Sequence, residues 1–68
     1  MTDCVIANGR ELLVDLPITL ENFLIAQGLP PRSVVVELNG EAVAASKIAS
    51  HELRSGDHLE IVRVVAGG

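Results

Sequence analysis

With 68 residues the chain has room for one small domain, and its 49% content of hydrophobic residues, mostly Val, Ile, Leu and Ala, must form an efficient core for that domain to fold unaided. Nine acidic residues against five basic ones give a formal net charge of −4, and Phe23 is the sole aromatic, which excludes the basic, stacking-rich surface of a nucleic-acid binder. A single cysteine excludes an internal disulfide or a CxxC site, no apolar run is long enough to span a bilayer, and Met1-Thr2-Asp3 lacks the basic-then-apolar form of a secretory leader, so the expected compartment is the cytoplasm.

The first element is a short strand over residues 3–7, closed by Asn8-Gly9. Asn-Gly between two apolar runs is the strongest short hairpin signal, because a type I′ turn needs positive φ at both central positions. The return strand covers residues 10–16, and Pro17 ends it because proline has no N–H to donate. A helix follows over residues 20–27. Thr19 is placed to cap it, Glu21 sits where the helix dipole favours an anion, and Ile18 and Phe23 have the spacing of a hydrophobic staple. Leu20, Phe23 and Leu24 recur at i, i+3 and i+4 and mark the buried face. Gly28 is expected at the left-handed position after the helix, with Leu29 folding back, and Pro30-Pro31 prevents any continuation.

Val34-Val35-Val36-Glu37-Leu38 is a β-branched run suited to an interior strand buried on both faces. Asn39-Gly40 repeats the hairpin signal, with residues 41–43 pairing back briefly. Residues 44–51 are small and weakly patterned, an irregular link with one helical turn near 46–49, and Leu53 is expected to pin that link to the core. Arg54-Ser55-Gly56-Asp57 reads as a turn with Gly56 at positive φ. The last strand, residues 58–65, places Leu59 and Ile61 on its core face and Glu60, Val62 and Val64 on the other. Valines on that second face either cover an internal layer, such as the 44–51 link, or form an apolar patch of the kind that marks partner surfaces.

The strand leads into Ala66-Gly67-Gly68. Two glycines offer no side-chain chemistry, but they form a thin stalk that can enter a channel too narrow for side chains, with a carboxylate at its end. Elsewhere candidate chemistry is sparse. Cys4 has no neighbouring base in sequence and reads as inert packing. His51 and His58 lack the companions of a metal site and read as surface loop residues. The acidic residues Glu11, Asp15, Glu21, Glu37, Glu41, Glu52, Asp57 and Glu60 read mostly as a solvated face, open to basic groups on a partner.

The order hairpin, helix, strand, short arm, link and final strand predicts an α+β chain: one mixed sheet of four to five strands with a single helix packed across it. Four features resemble the β-grasp, ubiquitin-like sulfur carriers, above all those of thiamine biosynthesis (ThiS). They are Asn8-Gly9, Leu38-Asn39-Gly40-Glu41, Leu53 with Gly56-Asp57, and Leu59-Glu60-Ile61-Val62-Arg63-Val64-Val65-Ala66-Gly67-Gly68. The likeness extends over essentially the whole chain and departs at Ala44-Ala45, where family members commonly carry Pro-Arg or similar polar residues.

The resemblance implies a protein co-substrate with no bound cofactor or metal, not an enzyme. The Gly68 carboxylate, presented on Gly67, would be adenylated with ATP by an E1-like adenylyltransferase. Sulfur from a cysteine desulfurase would then replace AMP to give a thiocarboxylate, and thiazole synthase would accept it. Val62, Arg63, Val64, Val65 and Ala66 would meet the partners. The small subunit of molybdopterin synthase, a carrier for another sulfur pathway, and a ubiquitin-like module that only binds partners are the alternatives.

Overall fold

The computed structural model describes residues 2–64. Strand β1 (Thr2–Ala7) pairs antiparallel with β2 (Arg10–Asp15) in unbroken register, from Thr2 opposite Asp15 to Ala7 opposite Arg10. Asn8 and Gly9 make the expected two-residue turn at φ of 51° and 80°. The return strand stops at Asp15, one residue before the sequence predicts, and the chain leaves through a cis Leu16–Pro17 peptide.

Helix α1 (Leu20–Ala26) has every one of its first four N–H groups, which lack a partner inside the helix, satisfied. Leu20 N–H donates to the His51 carbonyl at 2.7 Å and Glu21 N–H to the Ile48 carbonyl at 3.0 Å. Asn22 N–H donates to Thr19 Oγ1 at 3.1 Å and Phe23 N–H to the Thr19 carbonyl at 2.9 Å. At the other end Gly28, at φ 75°, donates to the Ile25 carbonyl, and Leu29 N–H returns to the Leu24 carbonyl. These two bonds are the Schellman closure expected from Gly28.

β3 (Val34–Leu38) and the two-residue β4 (Glu41–Ala42) form the second hairpin, with Asn39 and Gly40 again at positive φ. β5 (His58–Arg63) completes a five-stranded mixed sheet in the order β2-β1-β5-β3-β4. The last strand in sequence is therefore the middle one in space, parallel to β1 and antiparallel to β3. The helix-bearing face of the sheet holds the core: Val5, Ala7, Val14, Val34, Val36 and Leu59 from the strands meet Leu20, Phe23 and Leu24 from α1, with Ile48 and Leu53 closing one end.

One expectation is corrected here, and the predicted link gains a role. β3 is interior to the sheet but buried on one face only: Val34 and Val36 are buried, whereas Val35 is 52% exposed. A single helix covers one side of the sheet, and no layer covers the other among the described residues, so a β-branched run that suits double burial is half solvated. The weakly patterned link also has a definite role. Its 3₁₀ turn (Ala45–Lys47) and the turn after it bury Ile48 and bring the Ile48 and His51 carbonyls to the start of α1. Leu53 pins the link as expected; it is buried, and its N–H donates to the Ile18 carbonyl at 2.9 Å. No described helix is long and apolar enough to cross a membrane.

Removing buried volume from the middle strand should be far costlier than changing the open face. Urea denaturation of Leu59→Ala should show a loss of about 2–5 kcal/mol. Val35→Thr, which keeps the branched β-carbon at a solvated position, should stay within about 0.5 kcal/mol of the parent.

Candidate functional site

Backbone hydrogen bonds to widely separated segments fix the course of β5. At its start, Asn39 N–H donates to the His58 carbonyl, His58 N–H donates to Asn39 Oδ1, and Asn39 Nδ2 donates to Asp57 Oδ1. Asp57 is itself set by the turn before it, with Arg54 N–H donating to Asp57 Oδ2 at 2.8 Å. On the β1 side, Asn8 N–H donates to the Leu59 carbonyl. The Asn8 side chain then takes over, accepting from Ile61 N–H at 2.7 Å and donating to the Ile61 carbonyl at 3.1 Å. On the β3 side, pairing runs from Leu38 opposite Leu59 to Val34 opposite Arg63, and one further bond joins Val64 N–H to the Ser33 carbonyl at 2.7 Å. Ser33 ends the 3₁₀ turn Pro31–Ser33 imposed by the two prolines after α1.

Strand alternation places Glu60, Val62 and Val64 on the face away from α1, as the sequence predicts, and settles the alternative of an internal layer against it. Val62 is 62% and Val64 50% exposed. They are joined by one apolar residue that sequence reasoning did not single out, Val35, directly opposite Val62 in register; Leu13, at 79% exposure, shares the face but lies at its other end, level with Cys4. Ile6 and Cys4 on β1 lie on the same face and are half-buried. Cys4 is thus on the open face opposite Leu13, not in the core, because its neighbour Val5 takes the inward position.

Acids share this face. Glu37 stands directly opposite Glu60, one row behind the Val35–Val62 pair, and Glu11 and Asp15 alternate with Leu13 on β2. Among the described residues this face carries no Lys or Arg. Arg63 has the opposite side-chain parity, paired with Val34, and is exposed at the end of β5. Glu21 and Asp57 are half-buried, and the other acids named from the sequence are exposed. His51 lies in the exposed link, whereas His58 is the first residue of β5. No group of three or more His, Cys, Asp or Glu side chains that could hold a metal ion occurs among the described residues. Val65, Ala66, Gly67 and Gly68 lie outside the described residues.

The structure therefore brings together four of the residues named from sequence periodicity (Leu59, Ile61, Val62 and Val64) on the two sides of one central strand. It adds Val35 to the apolar patch and the Asn8 and Asn39 amides to the strand's supports. Cross-strand register supplies the first addition. The second left no separate signal in the sequence, because asparagine is already favoured at the first position of a type I′ turn, where Asn8 and Asn39 both sit at φ 51°.

The model of the ThiS family matches residues 3–68 of this chain. A thiazole synthase of Paramagnetospirillum magneticum is 38% identical over 64 residues, covering 94% of this chain. The chain spans only 20% of that protein's length. Among solved structures, the crystal structure of the thiamine biosynthesis protein ThiS from Geobacter metallireducens superposes with a TM-score of 0.79 at 26% identity, covering 96% of this chain and 99% of the other. The solution structure of a thiamine biosynthesis protein from the same organism gives a TM-score of 0.76, with 96% and 87% coverage.

A patch that faces solvent should tolerate polar substitution. Val62→Ser is expected to stay within about 1 kcal/mol of the parent in urea denaturation, the cost of lower strand propensity alone.

Proposed function

This chain belongs to the ThiS family, and on that premise we propose that it is a sulfur carrier whose reactive group is the Gly68 carboxylate. The observation that carries the proposal is the family match over residues 3–68, which includes Gly67 and Gly68. The fold is the mixed five-stranded sheet with one helix found in the ThiS structure of Geobacter metallireducens.

A carboxylate is a resonance-stabilised anion and a poor electrophile, so it needs activation before it can take up sulfur. In the proposed cycle a Gly68 carboxylate oxygen attacks the α-phosphorus of ATP on an E1-like adenylyltransferase and expels pyrophosphate. The resulting acyl-adenylate has AMP as a good leaving group, which splits one hard step into two easier ones. Persulfide sulfur from a cysteine desulfurase displaces AMP, and a thiol reductant cleaves the acyl disulfide to release the thiocarboxylate. The carrier supplies the reacting group and a recognition surface, while its partners supply the acid, base and metal chemistry. It acts as a co-substrate, not an enzyme, and holds no cofactor of its own.

Thiazole synthase is the proposed acceptor, and the cytoplasm the proposed compartment. The similarity of this chain to a fifth of a protein named thiazole synthase supports that acceptor, since the two partners then share one polypeptide in a relative. Val62 and Val64, with Val35 beside them, are proposed to seat on the activating enzyme while Arg63, Val65 and Ala66 lead Gly67 and Gly68 into its channel. Glycine at both final positions suits a passage that excludes side chains.

Intact mass spectrometry after incubation with an E1-like enzyme, ATP, a desulfurase, cysteine and a thiol reductant tests the reading. The expected gain equals the exchange of one oxygen for one sulfur; no gain with any cognate activating enzyme sinks the proposal. Deleting Gly68 or replacing Gly67 with Val should abolish the gain and leave the unfolding transition unchanged. Val64→Asp should weaken binding to the activating enzyme by about tenfold, the effect of placing a charge in an apolar contact, with the fold retained.

A further inference from the structure

The parallel ladder between β1 and β5 is short, with two register pairs, Ile6 with His58 and Ala7 with Leu59. It is extended by a side chain. Where a continuing β1 would offer a peptide group to Ile61, the chain instead turns at Asn8-Gly9, and the Asn8 amide takes that place. Its oxygen accepts from Ile61 N–H at 2.7 Å and its nitrogen donates to the Ile61 carbonyl at 3.1 Å, across 53 residues of sequence. With Asn8 N–H on the Leu59 carbonyl, one residue makes three hydrogen bonds to β5.

Past Ile61 the two sides of β5 differ. On the β3 side, pairing continues through Arg63, and Val64 N–H reaches the Ser33 carbonyl. On the β1 side no described residue lies opposite Arg63, whose peptide groups point the same way as those of Ile61. Among the described residues Asn8 is the last hold on that side of the strand. Asn39 is its counterpart: the same dipeptide, the same φ of 51°, and again one side-chain bond accepted and one donated, but at the entry to β5. The two turns thus hold one strand at its entry and near its exit.

We propose that Asn8 is a positioning residue for the terminal segment: its amide holds the β1 side of β5 at Ile61, while Ser33 holds the other side at Val64, and so it steadies the root from which residues 65–68 reach a partner. The structural part stands on the hydrogen bonds alone. The kinetic part rests on the carrier reading above. A root that is held on both sides keeps the reactive end within a small volume, and releasing one side dilutes that end at the partner's channel.

The test compares Asn8→Gly with Asn39→Gly. Both keep a residue that tolerates positive φ, and each removes two side-chain hydrogen bonds, so they form a matched pair. Amide hydrogen exchange is measured across β5, together with ATP–pyrophosphate exchange catalysed by the cognate E1-like enzyme at varied carrier concentration. Asn8→Gly should speed exchange about fivefold to tenfold at Val64 as well as at Ile61, the change expected when one or two hydrogen bonds open locally. It should also raise the KM for the carrier by about fivefold with kcat within about twofold, as lost positioning predicts. Asn39→Gly should leave both the Val64 amide and the KM at parent values.

Unchanged exchange at Val64 in Asn8→Gly overturns the structural part. An unchanged KM, or an equal rise in Asn39→Gly, overturns the kinetic part. A parent chain that supports no ATP–pyrophosphate exchange removes the carrier reading and its kinetic arm, while the Val64 amide still decides whether Asn8 steadies the end of the strand.

Discussion

The structure depends on one constraint: the last strand of the chain must be held as the middle strand of its sheet. A central strand needs partners on both sides, and for β5 both come from far back in sequence, β1 on one side and β3 on the other. Closing loops of that length costs entropy before any contact forms, so the return must be concentrated. It is concentrated at Leu59, whose side chain is buried in the core while the peptide groups of its strand pair with both neighbours. The two hairpins can each form locally, but they become one sheet only through β5.

The same requirement explains how polar and apolar groups are divided. A sheet with one helix has one dry face, and α1 supplies it through Leu20, Phe23 and Leu24. The helix is seven residues long, too short to be stable alone, and draws its order from its ends and its packing. Its first N–H groups are met by Thr19 and by carbonyls of the link before Leu53, and its last turn is closed through Gly28. The opposite face is left to solvent, and there the chain places Leu13 at one end and Val35, Val62 and Val64 at the other, with carboxylates on the same face.

Much of this was legible in the sequence because it rests on local rules. The two Asn-Gly turns, the Thr19 cap, the Leu20-Phe23-Leu24 stripe, the Gly28 closure and the Gly56 turn are each decided within a few residues. The two faces of β5 follow from alternation alone. What was not legible depends on pairing across the chain. A run of three valines in β3 has the composition of a doubly buried strand, and only the presence of a single covering helix leaves Val35 in solvent. Residues 44–51 lack periodicity because their contribution is made largely by backbone carbonyls, which leave no trace in side-chain identity. Cys4 was read as packing because Val5 and Ile6 beside it are apolar, yet register turns Val5 inward and Cys4 out.

The pairing of Glu37 with Glu60 has a consequence beyond this one molecule. Like charges directly opposite one another across two strands cost the isolated domain up to about 1 kcal/mol. At cellular concentrations, however, an apolar patch is also a place for identical copies to stick. Two copies meeting patch to patch would crowd four of these carboxylates together with no described Lys or Arg on either surface to neutralise them. The repulsion acts over roughly 8 Å at physiological ionic strength, which spans the contact itself. On this face, then, charge repulsion between Glu37 and Glu60 stands directly beside the exposed Val35–Val62 pair, so the same few square nanometres carry both an attraction for apolar surface and a repulsion for negative charge.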